Sequence, residues 1–273
     1  MSETVTFTPV GSFHCLEHYP YDAPRQATLA GENWGVVRLQ AGLGLEYAVR
    51  DLEGFSRIWL LFWFDRNRHW RPTVQPPRHL ERKVGVFASR SPYRPNPIGL
   101  SCVRLEKVCG LELVVSGHDL LDGTPILDIK PYLPYADAFP DAAAGWTAVP
   151  DEVCYEVRLA PEAQACLAWL EANGVPCLRG FIQDRLCLEP LNPRRSRLLD
   201  GDSPDVHILA YRTWRIPFVV NETTVTALTV LSGYAPAELS APEDPYHDKE
   251  LHRRFAEWRK SRGLEKHEAF PLL

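Results

Sequence analysis

The first 135 residues alternate short apolar segments with loops rich in proline and glycine, and this spacing restricts the fold. The segments predicted as strands are Val5–Phe13, Trp34–Leu39, Ile58–Phe64, Val84–Ser89, Leu100–Val108, Leu111–Gly117 and Pro125–Ile129. Cys109-Gly110 predicts a hairpin turn, and Leu45–Phe55 favours only a short helix. Many short strands at regular spacing predict a small closed β-barrel. The G-x-G-x-x-G pattern of doubly wound nucleotide-binding folds is missing from the sequence.

The pattern changes after a stretch rich in Ala, Pro and Asp near Ala136–Pro150. Beyond it the sequence predicts a strand, a helix, two paired strands and a charged helix, at Val153–Leu159, Pro161–Ala172, His207–Val220, Thr223–Leu231 and Pro245–Arg262. We therefore expect a mainly β protein. Its parts are a closed β-barrel domain over 1–145, a smaller α+β domain over 146–240 and a charged helical tail over 241–273.

Composition places the chain among soluble globular proteins. Of its 273 residues, 45% are hydrophobic and 24% are charged. The longest apolar run, Ile58–Phe64, is too short to cross a bilayer. The first residues lack a basic segment followed by an apolar one, which favours the cytoplasm over secretion. Seven scattered cysteines without C-x-x-C spacing favour reduced thiols and predict no metal.

The charge of the chain is unevenly distributed. The formal net charge is −5, yet Arg66–Arg104 contains nine Lys or Arg residues and a single acid, Glu81. Such a basic face is typical of a surface that docks a polyanion, although a solvated loop face would look the same. Trp70 and Tyr93 lie among these arginines and could stack on bases, which favours RNA as the partner.

Two loop-containing runs, Val84–Leu100 and Asp119–Tyr135, place polar residues between strand segments. Loops at one rim of a closed sheet converge, so these two, with Pro24–Ala27 and Phe64–Arg66, could form one concave site. The set suits a nucleoside with an amino-acid tail: Arg25 and Arg90 for a carboxylate or phosphate, Gln26 for a base edge, Asp122 for a ribose hydroxyl, Gly123 for close backbone approach, Thr124 for a polar contact, Leu100 and Leu121 for an aromatic ring. Taken singly, each residue is also typical of an ordinary turn or core position.

The longer motifs together carry a family resemblance. VGVFASRSPYRPNPIGLS, WRPTVQPPR at Trp70–Arg78 and DLLDGTPILDIKPYLPYAD strongly resemble the TsaA/TrmO family of S-adenosylmethionine-dependent tRNA methyltransferases. The resemblance covers most of residues 5–140 and extends weakly to about residue 232. It implies a small β-barrel, a homodimer, and methylation of N6 of threonylcarbamoyladenosine at position 37 of the tRNA anticodon loop.

The resemblance also assigns site residues. The implied contacts to S-adenosylmethionine are Pro24, Arg25, Gln26, Asp65, Arg66, Arg90, Leu100, Leu121, Asp122, Gly123 and Thr124. The family often has His-Gln where this chain has Asp65-Arg66. The residues predicted to bind the RNA substrate are Arg71, Arg94, Asn96 and Lys130, of which Arg94 and Lys130 suit the threonyl carboxylate or a phosphate.

The sequence leaves the proton acceptor and two other functions open. Asp128, His118 and Asp122 are candidates for a general base, and the substrate's own carboxylate is another. The chain could instead be an S-adenosylmethionine-binding regulatory or RNA-binding module without catalysis. It could also be a methyltransferase that acts on a different base or on a small molecule.

Overall fold

A computed structural model describes residues 5–19, 33–76, 82–148, 154–188, 190–192, 198–200 and 205–264. The chain divides into two compact units, residues 1–148 and 149–273. The strands of the first unit are β1 (Gly11–Cys15), β2 (Trp34–Leu39), β3 (Arg57–Trp63), β4 (Thr73–Val74), β5 (Val84–Gly85), β6 (Ile98–Cys109), β7 (Glu112–Ser116) and β8 (Pro125–Pro131). Its short helices are α1 (Leu45–Ala48) and α2 (Pro134–Asp137).

Six of these strands close into an antiparallel barrel in the order β1-β2-β7-β6-β3-β8, which confirms the predicted fold class. Alternate residues of each strand point inward, as the period of two requires. The interior is a single apolar core that includes Phe13, Ile58, Leu60, Val103 and Leu113, all fully buried. The barrel therefore holds its rims rigidly by packing rather than enclosing a channel.

The predicted strand Val84–Ser89 is wrong for most of its length. Only Val84 and Gly85 pair, with β4, and a 3₁₀ turn follows at Val86–Ala88. Val74, Val84 and Val86 bury a small satellite core instead of joining the barrel. The apolar alternation was real, but it serves a two-stranded ribbon beside the barrel.

The second unit is an α+β structure. Its strands are β9 (Glu156–Leu159), β10 (Leu198–Asp200), β11 (His207–Tyr211), β12 (Trp214–Asn221), β13 (Thr224–Ala227) and β14 (Leu231–Ser232), and its helices are α3 (Pro161–Ala172), α4 (Leu178–Leu186), α5 (Pro236–Ser240) and α6 (Lys249–Ser261). The sheet order is β10-β11-β12-β13-β9, with β9 parallel to β13 and β14 paired to β12. Phe255 of α6 is buried against Trp214 and Trp169. Across the described ranges, no helix is both long and apolar enough to pass through a membrane.

Candidate functional site

One rim of the barrel gathers three loops around a pocket of about 260 Å³. Because β3 runs antiparallel to β6 and β8, the end of β3 lies beside the starts of the other two strands. The pocket is lined by Phe62, Trp63, Phe64, Asp65, Arg66, Asn67, Pro92, Tyr93, Asp119, Leu120, Leu121 and Thr124. Aromatic walls with a few charged groups are typical of a small-molecule site.

Gly99, in the RPNPIGL motif, shapes one wall of this pocket. A Cβ atom at Gly99 would lie 2.3 Å from the Phe62 ring. The missing side chain therefore lets the Phe62 ring lie against the β6 backbone, where the ring also contacts Phe64 at 5.0 Å between centroids. The glycine therefore sets the position of the Phe62 ring in the pocket wall.

Arg66 joins two of the three loops. Its Nη1 donates to the His18 carbonyl at 2.6 Å, and its Nη2 donates to the Asp122 carbonyl at 2.8 Å. A planar guanidinium suits such a two-way clamp. The predicted cofactor contacts Asp65 and Arg66 thus both line the pocket, and Arg66 also fixes the position of the loop that carries Asp122.

The predicted turn at Asp122, Gly123 and Thr124 forms between β7 and β8. Gly123 has φ +79°, a conformation that favours glycine, and its N–H donates to the Phe13 carbonyl at 2.8 Å. Thr124 is buried in the pocket wall with Leu121. The Asp122 carboxylate points toward β1, where it accepts the Cys15 N–H at 3.2 Å and lies 3.4 Å from the His18 ring.

Asp119 is a pocket residue that sequence reasoning did not single out as a site residue. Its carboxylate accepts a hydrogen bond from Ser101 Oγ. Burial raises the pKa of Asp119, while the Ser101 hydrogen bond and the charge of Arg90 act in the opposite direction. The signal was present in the DLLDGT motif, in which Asp119 precedes the turn by three residues. A carboxyl group with a raised pKa in a pocket is a typical proton acceptor.

The basic residues near the pocket have different environments. Arg90 is exposed, and its charge influences Asp119 and Cys102. The Arg71 guanidinium lies over the Tyr93 ring, 4.9 Å from its centroid, at the pocket wall. Trp70 beside it is 56% exposed, so its ring is available for stacking.

Arg94 and Asn96 stand on the loop that precedes β6. The Arg94 guanidinium donates to the Ser89 carbonyl at 2.7 Å and to the Val86 carbonyl at 3.2 Å, so two of its bonds hold its own loop. Asn96 is exposed, and its carbonyl accepts the Ile98 N–H at 2.7 Å. Both residues shape this side of the pocket, although neither is part of its lining.

Three predicted site residues, Leu100, Asp128 and Lys130, lie on the outer face of the barrel. Leu100 of β6 and Asp128 of β8 are both paired with Leu61 of β3, which lies between them. Leu100 is 48% exposed. Lys130 pairs with Asp128 at 2.7 Å between Nζ and Oδ2. The structure therefore separates Leu100, Asp128 and Lys130 from the residues that line the pocket.

His118, a further candidate base, is completely buried beside the pocket loop. Its ring meets the Phe13 ring edge-on, with 4.6 Å between centroids. Burial lowers its pKa, and the nearby Glu17 carboxylate opposes that shift. Pro24, Arg25 and Gln26 lie outside the described residues.

Comparison with known proteins agrees with this geometry. Residues 13–138 match the family model described as the tRNA-methyltransferase O N-terminal domain. The tRNA (adenine(37)-N6)-methyltransferase of Escherichia coli is 40% identical over 191 residues, which cover 67% of this chain and 81% of that protein. A probable S-adenosyl-L-methionine-binding protein of Pyrococcus abyssi is 41% identical, over 52% of this chain and 76% of its own length. The crystal structure of TrmO from Pseudomonas aeruginosa superposes with a TM-score of 0.61 at 29% identity, covering 84% of this chain and 99% of that one.

Proposed function

The chain belongs to the tRNA-methyltransferase O family, and on that premise we propose that it methylates N6 of threonylcarbamoyladenosine at position 37 of tRNA, with S-adenosylmethionine as the donor. The observation that carries the proposal is the rim pocket, where aromatic rings, Asp65, Arg66 and Asp119 come together. S-adenosylmethionine supplies an activated methyl group when bound.

The pocket suits this donor chemically. Phe62, Phe64 and Leu121 offer apolar surface for an adenine ring, and Thr124 and the Asp65 carboxylate offer polar contacts. Arg66 holds the Asp122–Thr124 turn in place by a hydrogen bond to the Asp122 carbonyl, and its second hydrogen bond, to the His18 carbonyl, ties the turn to the segment after β1. We expect Arg90 to bind a carboxylate or phosphate, because it is exposed near the pocket carboxyl Asp119.

We propose Asp119, rather than Asp128, His118 or Asp122, as the group that accepts the N6 proton of the substrate. The Asp122 carboxylate is turned toward β1, where it accepts the Cys15 N–H. Asp119 lines the pocket and its pKa is raised by burial, whereas Asp128 lies on the outer face and His118 is enclosed by the core. A well-placed general base contributes about 10²–10⁴-fold to a rate. Because only the carboxylate accepts a proton, kcat should rise with pH through the raised pKa of Asp119.

The role of Asp119 is tested by Asp119→Asn. We expect kcat to fall about 10²–10⁴-fold and the acidic limb of the pH profile to vanish, with the Kd of S-adenosylmethionine changed little. Asp65→Asn is the matched pocket variant, and there we expect weaker donor binding instead. Equal loss of donor binding and kcat in Asp119→Asn would assign Asp119 to donor binding and contradict a proton-accepting role.

The RNA side of the proposal rests on Trp70, Arg71 and Tyr93 at the pocket edge. Arg71→Ala should weaken tRNA binding and reduce its salt dependence by roughly one phosphate contact. Arg38→Ala, on β2 and paired with Glu112, is the control that should leave binding unchanged. A small-molecule substrate would give no salt dependence of this kind.

We also propose a homodimer, as the resemblance implies, in the cytoplasm, as the scattered cysteines favour. The outer face of β3 and β6 exposes Trp63, Ile98 and Leu100, which a second copy could cover. Sedimentation of the full chain at several concentrations tests this, and Leu100→Asp should shift the mass toward one chain.

The deciding experiment for the function has two arms. In the first, nucleosides from tRNA of cells that lack this protein are analysed by mass spectrometry, and the methylated form of threonylcarbamoyladenosine should disappear. In the second, the purified chain is given S-adenosylmethionine and tRNA with or without the threonylcarbamoyl group. Donor binding without methyl transfer to either tRNA would support the alternative of a non-catalytic binding module.

A further inference from the structure

A cluster of three potential metal ligands lies behind the pocket loop. The thiol of Cys15, the carboxylate of Glu17 and the imidazole of His118 each offer one atom, and these atoms lie within 4.8 Å of one another. Cys15 ends β1, and His118 lies between β7 and the pocket residues Asp119–Leu121. The two segments meet because β1 and β8 pair, so the cluster joins residues about a hundred positions apart.

Three polar atoms of this cluster are buried without a hydrogen bond of normal geometry. His118 is completely buried, and neither of its ring nitrogens makes a hydrogen bond of normal geometry in the described part of the chain, although the Trp34 and Leu120 backbones lie close enough to raise its pKa. Glu17 Oε2, on a residue that is 7% exposed, also lacks such a bond there. Each unsatisfied buried polar group costs about 1–3 kcal/mol. Glu17 Oε2 and one ring nitrogen of His118 therefore have room for a polar species between them.

The spacing favours a metal ion over an ion pair. His118 Nε2 and Glu17 Oε2 are 3.7 Å apart, beyond the 2.7–3.2 Å of a normal hydrogen bond. Two ligands of one tetrahedral Zn²⁺, with bonds of about 2.0–2.3 Å, are separated by about 3.5 Å. The thiol of Cys15 lies 3.8 Å from the Glu17 carbonyl and 3.7 Å from the Leu120 carbonyl, where hydrogen bonds from sulfur are weak.

Asn33 orients two of the three ligands. Its Nδ2 donates to Glu17 Oε1 at 3.3 Å and to the His118 carbonyl at 3.0 Å, and its Oδ1 accepts the His118 N–H at 3.2 Å. Metal ligands are commonly held by such hydrogen bonds to an outer side chain. Glu17 Oε2 is thus left to face the cluster while Oε1 is anchored.

We propose that Cys15 Sγ, a Glu17 carboxylate oxygen and a His118 ring nitrogen bind a divalent zinc ion, with water in the fourth position. A mixed thiolate, imidazole and carboxylate set suits Zn²⁺ better than Mg²⁺ or Ca²⁺, which prefer oxygen alone. The ion fastens the end of β1 to the loop that carries Asp119 and Leu121. Its role is therefore to hold the pocket wall in position.

The metal content of the full chain, purified without chelators, tests the proposal. Plasma mass spectrometry should find about one zinc per chain. Cys15→Ser and His118→Ala should lose most of it. Cys109→Ser, at an exposed thiol on the far end of β6, should retain it. Asn33→Ala should weaken zinc binding about 10–100-fold in a competition with a chromophoric chelator, because it removes the outer hydrogen bonds.

Cobalt supplies an independent readout. Co²⁺ added to the metal-free chain should produce a thiolate-to-cobalt charge-transfer band that Cys15→Ser abolishes and Cys109→Ser keeps. Less than about 0.1 zinc per chain together with no cobalt band would overturn the proposal, because a site with three protein ligands should retain its zinc during purification. Equal zinc in the wild type, Cys15→Ser and His118→Ala would also overturn it. Neither measurement uses methyl transfer, so a negative result leaves the proposed activity standing.

Discussion

Each of the two units contains a completely buried histidine, and the hydrogen bonding of the two rings differs. In the second unit, His252 bonds Ser232 Oγ at 2.8 Å and Thr213 Oγ1 at 2.9 Å, and its ring stacks on Trp214 with 3.7 Å between centroids. In the barrel, neither ring nitrogen of His118 makes a hydrogen bond of normal geometry within the described ranges, and only the Trp34 and Leu120 backbones lie close enough to raise its pKa. The comparison separates a histidine bonded within its own unit from one for which we propose a metal ion as partner.

The same contrast extends to the buried charges of the second unit. Arg259 donates to Glu162 Oε1 at 2.9 Å, to Thr229 Oγ1 at 2.8 Å and to the Leu264 carbonyl at 2.7 Å. The network ties α6 to α3 and to the segment after β13. Buried polarity in this unit is therefore largely internal bonding, and the barrel rim is where unsatisfied polarity marks a site.

The largest stability effect should come from breaking that network. Arg259→Met leaves Glu162 without its buried cation, and removal of one partner of a buried pair costs about 3–5 kcal/mol. Hydrogen exchange of the β11–β13 amides should report this loss, because it resolves the two units separately. Arg158→Met, which breaks an exposed pair with Glu156 in the same unit, should change the free energy of opening by less than about 1 kcal/mol. Similar values for the two variants would contradict a structural role for the Arg259 network.

Replacing each histidine by leucine sharpens the comparison directly. In chelator-treated protein, His252→Leu should destabilise its unit by about 2–4 kcal/mol, because the partners at Ser232 and Thr213 lose their bonds. His118→Leu should lie within about 1 kcal/mol of the wild type, since no hydrogen bond is lost. Without chelator treatment, His118→Leu should have a lower thermal midpoint than the wild type, because the variant lacks one of the proposed zinc ligands. Comparable losses for both variants in chelator would show that His118 has a structural partner after all.

The pH dependence of the second unit gives a smaller and graded effect. Burial lowers the pKa of His252 to about 4, with Asp248 opposing the shift, whereas an unfolded histidine titrates near 6.5. The unfolded state therefore takes up the proton first, and stability present above pH 6.5 is lost as pH falls toward about 4. The slope can reach about 1.4 kcal/mol per pH unit. His252→Gln should reduce the pH dependence of the free energy of opening, measured by hydrogen exchange, between about pH 4 and 6.5. An unchanged slope would assign the pH dependence to other groups.

Sequence patterns predicted the elements whose local and global signals agree. β2 and α3 have the predicted bounds, because Trp34–Leu39 alternates cleanly and Pro161 begins a helix well. His207–Val220 was predicted as one strand, but it turns at Arg212, with φ 51°, and Thr213. Neither residue is typical of a turn, so the local sequence did not predict this hairpin.

Candidate site residues could be predicted from the sequence where they belong to a loop motif. The Asp122–Thr124 turn and Arg66 were found from their loops, and the structure places them together at one rim. The grouping of Cys15 and Glu17 with His118 could not be found, because it arises only when β1 pairs with β8. Leu100 and Asp128 were placed on strands correctly, but the side of the sheet that each faces depends on the register, and β8 shifts its register against β3 between Asp128 and Ile126.

The smallest effects on stability and on kcat should come from a change at Asp128. The expected effect on kcat depends on whether the reaction takes place in the pocket or at the outer face of the barrel. The Asp128 and Lys130 side chains are 48% and 60% exposed, and an exposed pair contributes about 0–1 kcal/mol. Asp128→Asn should therefore barely change stability. Because Asp128 is not part of the pocket lining, kcat should change less than about threefold, against about 10²–10⁴-fold for a lost general base. A hundredfold fall in kcat at unchanged stability would instead place the reaction at the outer face, where a second copy of the chain would have to complete the site.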